Sequence, residues 1–289
     1  MPRYELEYPQ NALNSVKRHN ERGDYSLTTI HTIINSSRIL HVSFTDPSSP
    51  FPITLPMIGK VGSFARPSSS VADVLDLYLH GYVSMRMANV ARSQGNNNNN
   101  NNNNNSSSSS SSSSDGSNGR AGVPVCVSAA HVDGLVLALS PFSSSYNYRS
   151  AVLFGHAVVV TDEAEKLYAM ELITNGVASG RWENSRQPPT AGEIQSTSVL
   201  RVKIQSGSAK VRAGEPHEET RDAKDEELVG RVWTGVVPVY EMLGNPLPAS
   251  ANRVAEVPAH LADYVKDSNE FTLERALQAA VEPEKKATR

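Results

Sequence analysis

Two stretches decide the fold: VPVCVSAAHVDGLVLALS (123–140) and YRSAVLFGHAVVV (148–160). The first reads as a hairpin and the second as one long strand. Asp133-Gly134 in the first predicts a hairpin turn, because that dipeptide favours the tight turns whose twist matches two antiparallel strands. Gly155 in the second predicts a bulge or a close approach by another backbone.

The period of half-buried strands appears further out. Leu40, Val42 and Phe44 alternate with His41 and Ser43; Leu75, Leu77 and Leu79 alternate with Asp76, Tyr78 and His80. Leu200, Val202 and Ile204 alternate with Arg201, Lys203 and Gln205, and PITLPMIGKV (52–61) reads as a strand interrupted by proline, which puts it at an edge or a bulge. Helical spacing is confined to four places. Asp24 precedes Leu27, Ile30, Ile33 and Ile34; residues 83–94 form a short helix; Thr161 and Asp162 open an acidic-first helix with Leu167, Met170 and Ile173; Leu273, Leu277 and Val281 mark a C-terminal amphipathic helix. Residues 213–229 are acidic and predicted to be solvated. Short antiparallel strands with few helices argue for a mainly β barrel or sandwich with peripheral helices.

One segment stands apart. Ten Asn (96–105) and nine Ser (106–114) cannot bury apolar surface, so 95–120 is expected to be a disordered insert in a surface loop. The alternative for such a tract is self-association. The 27 Lys+Arg against 30 Asp+Glu give a net charge of −3, which argues against a nucleic-acid partner. No apolar run reaches the length of a membrane span, so no membrane partner is expected. A single cysteine, Cys126, excludes a disulfide framework, and the N-terminus has no targeting pattern. The expected compartment is the cytoplasm, with the nucleus as the alternative.

The common catalytic signatures are missing: no G-x-S-x-G, H-E-x-x-H or Walker A loop occurs, and no G-x-G-x-x-G follows a strand. His217-Glu218-Glu219 lies in the charged stretch, and no metal site is expected. LYLHGYVSMR (77–86) is the informative junction. Tyr78 and His80 share one strand face, Gly81 permits a sharp exit, and Ser84 with Arg86 would meet a phosphate at a helix start. A capping role for Ser84 and a surface charge at Arg86 are the alternatives.

Five short motifs in order, ERGDY (21–25), LYLHG (77–81), NYRSAVLFGHA (147–157) followed by DEAEK (162–166), GRW (180–182) and WTGVVP (233–238), carry a resemblance. The chain resembles the FMN-binding split-barrel superfamily related to pyridoxamine 5′-phosphate oxidase, and most of all its flavin-nucleotide-binding or 5-nitroimidazole-resistance branch. That resemblance implies a six-stranded antiparallel split β-barrel, a homodimer, and FMN at the dimer interface. It divides the chain into an N-terminal extension (1–19), the barrel domain (20–245) and a helical tail (246–289).

The resemblance also implies a site. Ser84 and Arg86 would bind the phosphate, although Met85 stands where relatives often carry an arginine. Thr54, Leu55 and Pro56 would offer backbone groups to the isoalloxazine edge. Tyr78, His80, Tyr148, Arg149 and Ser150 would line the cofactor region, and Trp182 would cover it from the partner chain. His80 is the catalytic candidate, as a proton donor. The chemistry would be hydride or electron transfer from a reduced nicotinamide to a small acceptor. Two rivals remain at this stage: a haem-binding member of the fold using His80 or His260, and a non-enzymatic flavin-binding or interaction protein. His41, His131 and His156 read as structural, and Trp233 as an anchor for the chain end.

Overall fold

The computed structural model describes residues 5–82, 85–91 and 122–281. In order come β1 (Gly23–Asp24), α1 (Leu27–Ser36), β2 (Leu40–Phe44), β3 (Ile53–Gly62), β4 (Asp76–Tyr82), α2 (86–91), β5 (Val123–Leu137) and β6 (Ser145–Val159). Then follow α3 (Glu163–Val177), α4 (Ala191–Ser196), β7 (Thr197–Arg212), α5 (Glu226–Arg231), β8 (Gly235–Pro238) and α6 (Ala259–Val281). Ser84 and the Asn/Ser tract lie outside the described residues.

β7, β4, β3, β2, β5 and β6 pair antiparallel in that order, and β6 pairs back onto β7. The six strands therefore close into the expected barrel, and closure removes the unpaired edges that an open sheet would expose. β1 and β8 extend it by short pairings to β7 and β5. The inward side chains fill the interior, with Leu40, Val42, Leu77, Leu79, Val127, Leu153 and Leu200 nearly or fully buried. α1 belongs to this core through Leu27, Ile30, Ile33 and Ile34. Its N-cap is Ser26, whose hydroxyl accepts from the Thr29 amide, while Asp24 supports the cap by accepting from the Ser26 amide and the Thr29 hydroxyl.

Four expectations need correction. Asp133-Gly134 makes no turn, because both flanking runs go on pairing with β6 and the chain reverses over 138–144 instead. The register slips between Val132 and Gly134, so Asp133 is the extra residue of a β-bulge, a device that re-aims a side chain. Pro56 does not interrupt its strand, although it does sit at the edge expected of it. It lies in the half of β3 that pairs only with β2, whereas β4 pairs from Ile58 onward. α3 buries Glu165, Ala169 and Ile173 with Met170 packed beside them, and of the three expected apolar residues Leu167 is not part of that cluster. On α6 the buried residues are Ala276 and Ala279, and Leu277 and Val281 remain exposed.

Gly155 behaves as expected. The β6–β7 register shifts beside it, and a Cβ at this position would lie 2.3 Å from the Lys203 carbonyl oxygen. No helix among the described residues is long and apolar enough to cross a membrane.

Candidate functional site

The alternation of each strand sorts the expected site residues onto two surfaces. Thr54 and Pro56 are exposed on the outer face of β3, opposite Ser43 and His41 of β2. The Thr54 and Ser43 hydroxyls share a hydrogen bond of 2.8 Å. Leu55 points the other way and packs against the barrel core. His80 is exposed on the same outer face, paired with Ile58, and Tyr82 beyond it is 74 % exposed.

Arg86 stands beyond the end of β4. Its Nε donates to Asp46 Oδ2 at 2.5 Å and an Nη to the Ser48 hydroxyl at 3.2 Å, leaving the side chain half exposed. The Ser48 amide and then the Arg86 guanidinium hold the Asp46 carboxyl down at about 2. Gly81 continues β4 without a left-handed backbone, so the sharp exit is not seen there.

Tyr78 shares the outer face of β4 with His80, but α3 roofs it completely. Its ring packs with Ala169, Ile173 and Val199, and its hydroxyl donates to Glu165 Oε1 at 2.9 Å. Glu165 in turn accepts from Arg201 at 2.9 Å. Burial, and then the Glu165 carboxylate, push the phenol pKa far up. As folded here, Tyr78 presents no surface to a ligand.

Tyr148, Arg149 and Ser150 do not face one region. Tyr148 and Ser150 are half-buried on the outer side of β6, while Arg149 points inward next to Ala151 and Leu153 of the core. Its Nε reaches both Asp133 carboxylate oxygens at 3.1 and 3.2 Å, and an Nη donates to the Ser36 hydroxyl at 3.1 Å. The bulge at Asp133 makes this pair possible. Trp182 is half-buried in the loop after α3, where its amide donates to Asn175 at 2.8 Å. Trp233 does not anchor the chain end by burial. It is 66 % exposed, with its ring over Gly235.

Arg149 of β6 instead lines a cavity of about 700 Å³ with the end of α1, β3, β5, α3 and α6. His131 sits in its wall, hydrogen-bonded to the Ser37 hydroxyl at 2.8 Å. Burial and the neighbouring Arg149 push its imidazole down to about 4, so it is neutral at physiological pH. A second groove of about 460 Å³ adjoins through Tyr264, Ser268 and Phe271, with His260 at its wall. The sequence reading missed the cavity. One signal was available: Lys60 is a lysine inside an apolar strand, between Gly59 and Gly62.

The family described as Pyridoxamine 5′-phosphate oxidase matches residues 106–211. Among solved structures, the chain is similar to the flavocytochrome Anf3 from Azotobacter vinelandii, at 24 % identity and a TM-score of 0.62, over 88 % of this chain and 97 % of that one. It is similar also to the FAD and heme binding protein from Mycobacterium smegmatis, at 23 % identity and a TM-score of 0.61, over 84 % and 97 %. At these identities the likeness is one of fold. No curated protein matches the chain in sequence.

Proposed function

We propose that this chain, a split barrel of the pyridoxamine 5′-phosphate oxidase superfamily, binds a flavin nucleotide on the outer face of β3 and β4. The observation that carries the reading is the split between these strands. β3 pairs with β2 over Ile53–Met57 but with β4 only from Ile58, so the β4-side edge of its first half is not used by that partner. A flat heteroaromatic ring with nitrogen and oxygen atoms along its rim can take hydrogen bonds from such an edge. Arg86 supplies the cation for a phosphate, once Asp46 releases it. The residues present therefore fit a flavin nucleotide with one side-chain phosphate contact among the described residues.

When bound, the flavin would supply hydride or electron transfer between a reduced nicotinamide and a small acceptor. Thr54 and Pro56 would position the ring, and His80, exposed on the same face, would deliver a proton. The flavin is assigned by class: the sequence resemblance points to FMN, whereas the M. smegmatis relative is named for FAD. We place the site in a homodimer, because Phe51 and Tyr82 near it are each 74 % exposed, and large apolar side chains gathered on one face mark an interaction surface.

A haem is the second reading. One relative is named a flavocytochrome and the other an FAD and heme binding protein, and His260 stands beside a groove in this chain. One experiment separates the outcomes: an absorbance scan of the purified protein, with mass spectrometry of what heat releases. Flavin bands with an FMN or FAD mass support the proposal, and a Soret band adds or substitutes haem. A colourless protein that takes up neither added FMN nor added FAD overturns it. Light scattering tests the dimer.

A further inference from the structure

The cavity reaches the outer face of β3 at Lys60, four positions beyond Pro56, and the charges on its lining do not balance. Arg149 is neutralised by Asp133, and Arg38 at the rim by Glu241 at 3.1 Å. Lys60 pairs with no carboxylate of the described residues. Its ammonium donates to the Asn35 carbonyl in the last turn of α1. Among the residues lining this cavity three cations stand against two carboxylates, and His131 adds no charge at neutral pH; Asp263 and Asp267 belong to the adjoining groove.

The path of Lys60 is built for this position. Its stem crosses α3 at Gly176, where a Cβ would lie 2.4 Å from Lys60 Cε and 2.7 Å from Cγ. Any larger residue at 176 would push the lysine aside. Leu172 of α3 and Phe271 of α6 give the cavity apolar lining beside the polar groups. About 700 Å³ is within the range of sites for small organic molecules.

We propose that this cavity binds a small organic monoanion, a carboxylate with an apolar body, whose charge meets Lys60 and whose body lies against Leu172 and Phe271. The charge count selects the class. One carboxylate neutralises the excess, whereas a phosphate monoester dianion would overshoot it in a half-enclosed space where unpaired charge is costly. Burial, with Arg38 nearby, holds the Lys60 amine down at about 8, so it is mostly protonated at neutral pH yet poorly solvated. An anion relieves that state.

Calorimetric titration of the full chain with benzoate and with benzamide, which match in shape and differ in charge, tests the proposal. Benzoate is expected to bind at about 1 mM or tighter, and benzamide at least about tenfold more weakly. Lys60→Gln should cut benzoate affinity at least about tenfold with an unchanged circular dichroism spectrum. Phe271→Ala, at a half-exposed position that tolerates truncation, is the second variant and should weaken benzoate severalfold. Equal binding of acid and amide, no benzoate binding, or unchanged affinity in the variants would overturn it, and would leave Lys60 as a cap for α1.

Discussion

Replacing Arg149 with methionine removes one member of a buried ion pair and keeps much of its bulk. The Arg149 and Asp133 side chains are 10 % and 6 % exposed and 3.1 Å apart, so Asp133 would stay in the interior without the guanidinium it faces. Breaking such a pair on one side costs about 3–5 kcal/mol. The Ser36 hydroxyl also loses a donor. Against a total stability of about 5–15 kcal/mol this is a large fraction, visible as a lower urea midpoint at constant slope. The double variant Asp133→Asn/Arg149→Met holds no buried charge at these two sites and should return to within about 2 kcal/mol of the parent. The reasoning fails if the single variant loses under about 1 kcal/mol, or if the double variant falls as far as the single one.

Tyr78→Phe should cost about 1–2 kcal/mol through loss of the hydrogen bond to Glu165 and leave any bound flavin's spectrum unchanged; a spectral shift would put Tyr78 at the cofactor after all. Arg86→Ala should weaken FMN binding about tenfold or more while leaving riboflavin, which has no phosphate, unaffected; equal losses for both would remove Arg86 from the phosphate site. Lys60 gives a pH signature. Burial lowers its amine to about 8 in the folded chain from 10.5, so between these values the unfolded chain binds more protons and stability gains from Lys60 as pH rises. Unfolding followed from pH 7.5 to 10.5 should show that rise in the parent and not in Lys60→Met, and identical slopes would refute it. Gly155→Ala should destabilise by about 2 kcal/mol or more, because the new Cβ meets the Lys203 carbonyl oxygen and the bulge must open; a neutral result in thermal unfolding would mean the two strands separate easily there.

Local pattern carried the strands and α1. Leu40–Phe44, Leu75–His80 and Leu200–Gln205 carry period-2 runs and form strands, and the apolar spacing from Leu27 to Ile34 matched a helix that buries that same face. Those signals are legible because burial of one face imposes its own period on the chain. The resemblance supplied the closure of six strands, which no single strand specifies.

The misreadings came from residues whose meaning is set by distant partners. Asp133-Gly134 has turn chemistry, but continued pairing on both sides makes it a bulge, and the bulge exists in company with Arg149, sixteen positions away. Tyr78 and His80 share a face by sequence, yet only α3 decides that one is roofed and the other open. Leu277 is a core residue by helical spacing, but α6 presents Ala276 and Ala279 to the barrel, where Asn147 and Gly214 both donate to the Ala279 carbonyl. The cavity around Lys60 draws on six strands and helices between Asn35 and Thr272, so no window of sequence contains it. What this sequence determined alone is which backbone segments are strands and helices, because those depend on neighbours a few residues apart. What faces a ligand was decided by tertiary structure, because exposure and charge balance are properties of the space between elements.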